Sequence, residues 1–125
     1  MSDIQIGDKV TAIYKTGKYI GEVTNIRPET ILVRVLAVVT HPTQGDLHSH
    51  KDADVPLFHE RRALAYREQA NIPAKMVKPY TDEIPEYKES LTNAIQKLRD
   101  TLASDDTLWA KKSLENISTL EKEYF

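Results

Sequence analysis

At 125 residues, with 40% hydrophobic and 29% charged side chains, the chain has the make-up of one globular domain large enough for its own core. A formal charge of −2 and a pI near 6.1 give no general attraction to nucleic acid or to an anionic membrane. Cysteine is absent, which excludes disulfides, thiolate metal sites, a cysteine nucleophile and an acylated N-terminal cysteine.

The opening MSDIQIGDKV has no apolar run behind a basic start, and the longest apolar stretch, Val35 to Val39, is too short to span a bilayer. A cytoplasmic protein is expected. Lys9 to Lys15 reads as a strand rich in β-branched and aromatic residues. Thr16-Gly17-Lys18 supplies a tight turn, with Gly17 free to take a positive φ. Tyr19 to Ile26 is the return strand, and Gly21 within it suggests a bulge or a bend. Arg27-Pro28-Glu29 turns the chain again before the longest strand, Ile31 to Thr40. That strand alternates at first, but from Val35 to Val39 both faces are apolar, so a second layer must cover it. Val55-Pro56-Leu57 reads as a short edge strand.

From Phe58 the pattern changes. Phe58 to Gln69 holds good helix formers without glycine or proline, and Asn71-Ile72-Pro73 stops it. On that helix Leu57, Phe58, Leu64 and Ala65 form an apolar sector with Arg61 at its centre. Pro73 opens a short helical turn that ends before Pro79, and Thr81 or Asp82 caps the next helix with Pro85 in its first turn. Tyr87, Leu91, Ala94, Ile95, Leu98 and Leu102 form one amphipathic stripe. After the break at Ser104 to Thr107, Ala110, Leu114, Ile117, Leu120 and Tyr124 form another, with Trp109 near its start. The fold class is therefore α+β: a small SH3-like antiparallel β-barrel over residues 1–57, then a helical region with a helix hairpin over residues 58–125, as one compact unit.

Thr40 to Gln69 joins the halves and holds all four histidines, His41, His48, His50 and His59, with Asp46, Asp52, Asp54 and Glu60 among them. Imidazole and carboxylate are ligands zinc accepts, and His48 and His50 would share a side in an extended segment. No H-E-x-x-H helix or sulfur ligand supports them, so no metal or other cofactor is expected. His59 and Glu60 beside Arg61 and Arg62 could serve acid–base chemistry, yet no nucleophile elbow, phosphate loop or dinucleotide fingerprint accompanies them. Capping a helix start is their simpler use, and the chain is read as not an enzyme.

Arg61, in an apolar sector, must meet an acceptor; Asp46, Asp54 and Glu22 are candidates, and a structural tie outweighs an anion site. Lys9, Lys15, Lys18, Tyr14, Tyr19, Arg27 and Arg34 are the nearest approach to a nucleic-acid surface, diluted by Asp8, Glu22 and Glu29. A nucleic-acid-binding SH3-like module is the alternative reading; no nucleic-acid partner is expected.

GDKVTAIYKTGKYIGEVTNIRPETILVRVLAV, then HPTQGDLH, then VPLFHERRALAYREQANIP resembles the kinase-associated protein B family of bacilli, a likeness that continues through IPEY into the C-terminal helices. The resemblance implies a small barrel followed by helices. It also implies a regulatory role supporting a sensor histidine kinase that feeds the sporulation phosphorelay, with no catalytic residues to carry over. Members are often labelled lipoproteins; this sequence departs from that label in having no cysteine, so any membrane association is expected to come through the kinase partner. The expected partner surface is His41, Gln44, Asp46, His48, His59, Glu60, Arg62 and Tyr66, with Arg61 as an internal tie, because loops on a rigid scaffold commonly carry binding.

Overall fold

A computed structural model describes residues 4–44 and 61–125. Five strands, β1 (Lys9–Tyr14), β2 (Gly17–Ile26), β3 (Thr30–Thr40), β4 (Gln69–Pro73) and β5 (Val77–Pro79), pair antiparallel in the order β4-β3-β2-β1-β5. Two helices follow, α1 (Tyr87–Ala103) and α2 (Leu108–Tyr124).

The β1–β2 hairpin closes through Lys15 and Thr16, because Tyr14 pairs with Gly17. Lys15, not Gly17, takes the left-handed conformation, with φ 55°. Gly17 is needed for space instead: a Cβ there would sit 2.5 Å from the Tyr19 hydroxyl. Gly21 marks a register shift against β3, and a Cβ there would lie 2.5 Å from the Arg34 carbonyl oxygen. The bulge expected at Gly21 is present.

β4 and β5 lie at opposite edges of the sheet, yet one 3₁₀ turn, Ala74–Met76, joins them. A linker of that length reaches at most ~14 Å, whereas the edges of a flat five-stranded sheet are ~19 Å apart. The sheet must therefore curl. No β4–β5 pairing appears among the described residues, so it is a curled, open sheet and not the closed barrel expected.

Val10, Ala12, Val23, Ile31, Val33, Ile72 and Val77 draw on all five strands and fill the inside of the curl. A second cluster joins Tyr19, Val35 and Val38 to Leu91, Ile95, Leu102, Trp109 and Ile117 of the helices. β3 thus serves both cores, Ile31 and Val33 in the first and Val35 and Val38 in the second. Both helical stripes face this second core. The Thr107 hydroxyl caps α2 by accepting from the Ala110 N–H at 3.2 Å. α1 begins at Tyr87, later than Thr81 or Asp82 would place it, so Pro85 precedes the helix instead of lying in its first turn. An Arg99–Glu121 ion pair links the two helices.

Two expectations fail. The helix expected over Phe58 to Gln69 is absent from its described part: residues 61–65 take no regular secondary structure, a turn follows, and β4 begins at Gln69. The division at residue 57 also fails, because β4 and β5 come from the part assigned to helices and complete the sheet. One cause explains both. β3 offers unpaired N–H and C=O groups along its outer edge, and pairing them outweighs local helix propensity worth only a few tenths of a kcal/mol per residue. The pairing runs Arg34 to Gln69 through Thr30 to Pro73, and continues as Val35 N–H to the Glu68 carbonyl and Arg67 N–H to the Val35 carbonyl. The edge strand expected at Val55-Pro56-Leu57 lies outside the described residues, as do Asp46, His48, His50, Asp52, Asp54, His59 and Glu60.

Candidate functional site

Residues 41–44 and 61–68 run between the sheet and the helices, and buried polar groups hold them there. Gln44 is 2% exposed. Its Oε1 accepts from the Arg61 N–H at 2.8 Å, while its Nε2 donates to the Arg61 carbonyl at 2.9 Å and the Pro42 carbonyl at 3.0 Å. The Gln44 carbonyl accepts from the Trp109 indole N–H at 3.2 Å. The Gln44 side chain therefore clips residues 42, 44 and 61 together, and its backbone carbonyl ties them to α2.

Three tyrosines seize the next two residues. The Ala63 N–H donates to Tyr124 Oη at 2.9 Å, and the Leu64 N–H donates to Tyr19 Oη at 3.2 Å. Tyr87 Oη donates to the Leu64 carbonyl at 2.6 Å. One ring comes from β2, one from α1 and one from α2, so this segment is held by both the sheet and the helices. Burial pushes the Tyr19 hydroxyl up to about 12 and raises that of Tyr87 as well. Both stay protonated at neutral pH.

His41 completes the seam. It is 1% exposed, with Nδ1 3.0 Å from the Pro42 carbonyl and Nε2 3.0 Å from Tyr124 Oη. A carbonyl only accepts, so Nδ1 carries the proton and Nε2 accepts from Tyr124. Tyr124 Oη thereby accepts a hydrogen bond from the Ala63 N–H and donates one to His41 Nε2. Desolvation lowers the His41 pKa, with the Pro42 carbonyl opposing, so the ring is neutral at pH 7.

The polar residues of the seam thus face inward. His41 and Gln44, expected on a partner surface, are buried and saturated by internal bonds, and they assemble the seam instead. Arg61 does not sit in a helical apolar sector, because the described part of that stretch is not helical; its backbone makes both bonds to Gln44. Glu22, one acceptor considered for it, lies 3.7 Å from Lys9 Nζ.

Arg62 and Tyr66 do face outward. Arg62 Nη1 meets Glu123 at 2.6 Å, with the guanidinium 5.3 Å from the Tyr124 ring centre. Beyond it, Ala65 to Glu68 forms a tight turn closed by the Glu68 N–H on the Ala65 carbonyl at 3.0 Å. The Glu68 carboxylate accepts from the Ala65 N–H at 2.8 Å, and Arg67 takes φ 69°. This doubly pinned turn holds Tyr66 out in solvent, 54% exposed, with its ring 5.7 Å from Tyr87. Beside it lies a groove of about 530 Å³ lined by Leu36, Tyr66, Ile84, Pro85 and Tyr87, with Glu86 and Lys88 at its rim. Sequence reading placed Tyr66 on the surface but missed the groove, because Leu36, Ile84 and Tyr87 meet only once β4 has docked.

With this geometry the chain can be set beside known proteins. A family model for Kinase associated protein B matches residues 14–125. The chain belongs to the kinase-associated protein B family. Kinase-associated lipoprotein B of Bacillus subtilis (strain 168) is 58% identical over 125 residues, covering all of this chain and 98% of that protein. A crystal structure of kinase-associated protein B from Bacillus cereus superposes with a TM-score of 0.83 at 50% identity, covering 97% of each chain. Among the described residues, no helix is long and apolar enough to cross a membrane.

Proposed function

We propose that this chain is a non-enzymatic adaptor that binds a sensor histidine kinase, or a neighbouring phosphorelay component, and supports the signal that starts sporulation. The names of its relatives support a kinase partner. The observation that carries the reading is Tyr66, an exposed aromatic on a turn pinned from both ends beside an apolar groove. Interfaces concentrate their energy in such anchors, since a rigid ring buries a large area at little entropic cost. Glu86 and Lys88 around the groove would supply the polar rim. A non-catalytic role fits the seam, whose histidine has both ring nitrogens committed to internal bonds. In this reading the curled sheet is a small SH3-like scaffold, and the protein works in the cytoplasm, drawn to the membrane by its kinase. The test is recovery of the kinase by immobilised wild-type chain against Tyr66→Ala and Ile84→Glu variants. Both should lose the kinase while keeping the wild-type melting temperature; equal recovery would remove this face from the reading.

A further inference from the structure

A second cavity, of about 400 Å³, shares no lining residue with the Tyr66 groove, and the adaptor reading does not use it. Lys15, Arg61 and Arg62 line it, together with Tyr14, Tyr19 and Glu68. We propose that it is an oxyanion site of the phosphate class, taking either the free ion or a phosphate ester on a small flat body.

The cations come from remote parts of the chain and are brought together by a built frame. Lys15 sits in the left-handed region at φ 55°, a conformation that costs a non-glycine residue energy and that clusters at functional sites. Its Nζ lies 5.4 Å from the Tyr14 ring centre. The neighbouring Thr16 hydroxyl accepts from the Thr43 N–H at 2.8 Å, and Gln44 then ties this flank to Arg61. A cavity of about 400 Å³ is roughly 9 Å across, close to the ~8 Å screening length at physiological salt, so its lining charges act jointly on whatever enters.

Among the described residues, two carboxylates near the cavity are already hydrogen-bonded. Glu68 accepts from the Ala65 N–H, and Glu123 takes the Nη1 edge of Arg62, leaving the other donors of that fork for a second acceptor. The Tyr19 hydroxyl, on a residue 2% exposed, accepts from the Leu64 N–H, and among the described residues its own proton has no acceptor. A buried donor in the wall of a cation-lined cavity suits an oxyanion that accepts from hydroxyl and guanidinium together. The Tyr14 and Tyr19 rings offer an apolar wall for the body of an ester.

The test is an amide NMR titration of the full chain at low salt, with sodium phosphate in one arm and phenyl phosphate in the other. Saturable shifts confined to residues 14–19, 42–44 and 61–68 are expected, weakened about tenfold in Lys15→Gln and in Arg62→Gln. Equal affinity in the two arms identifies the free ion as the ligand, and tighter binding of phenyl phosphate identifies an esterified one. Both substitutions lie on exposed side chains, and the same spectra report whether the fold is kept. No saturation in either arm up to ~20 mM, or affinity unchanged in both variants, would overturn the proposal.

Discussion

Tyr124→Phe isolates one oxygen on which the seam depends. The ring survives, and with it the edge-on contact to His41 at 5.9 Å, so the substitution removes only the hydroxyl. Two groups then lose their partner: the amide of Ala63, a residue 7% exposed, and His41 Nε2 on a residue 1% exposed. An orphaned buried polar group costs about 1–3 kcal/mol, and water reaching the half-exposed end of α2 recovers part of that, leaving a net loss of about 2–4 kcal/mol. For a domain of this size the melting temperature should fall by about 8–15 °C. Urea titration at pH 7.5 measures the loss directly, with Tyr80→Phe as control, since the Tyr80 hydroxyl bonds the Glu83 carbonyl on the exposed surface. A Tyr124→Phe change within about 0.5 kcal/mol of wild type would refute the relay from Ala63 through Tyr124 to His41.

Gln44→Leu should cost about 2–4 kcal/mol by denaturant titration, because the Arg61 N–H and two carbonyls lose their buried partner together. His41 gives stability a pH signature. Its folded pKa is depressed below 6.5, so beneath that pH the unfolded chain binds more protons and stability falls as pH falls, by at most ~1.4 kcal/mol per pH unit from this group. A His41→Gln variant, less stable at pH 7, should show a flatter profile between about pH 6.5 and 5; an unchanged slope would place the proton uptake elsewhere. The Ser113 hydroxyl is buried and, among the described residues, has no hydrogen-bond partner. Ser113→Ala should therefore leave the melting temperature unchanged or raise stability by up to ~1 kcal/mol, a sign opposite to that of most core substitutions.

Elements with strong local or periodic signals were legible in the sequence. Alternation and turn residues located β1 to β3, Gly21 announced its bulge, and intervals of three and four located both helical stripes. Residues 61–73 were not legible, because alanine, leucine, arginine and glutamate favour a helix locally and the deciding partner, the open edge of β3, lies about 35 to 43 residues upstream. No glycine marks the left-handed position at Arg67. The site was half legible. His41, Gln44 and Arg61 were singled out as unusual, but sequence could not tell a polar group facing solvent from one consumed inside. Tyr87 and Tyr124 were counted as apolar stripe residues. A buried tyrosine still needs a partner for its hydroxyl, and following that requirement would have pointed toward an extended backbone with free amides and carbonyls.

The adaptor reading rests on Tyr66 and its groove, and one measurement tests it most directly: the affinity of the purified cytoplasmic part of the kinase for wild-type chain and for Tyr66→Ala, by calorimetry. An anchor of this kind contributes about 2 kcal/mol or more, so the variant should bind at least about tenfold more weakly while its melting temperature stays within about 2 °C of wild type. Equal affinity of the two proteins would contradict the assignment of this face as the kinase-docking surface.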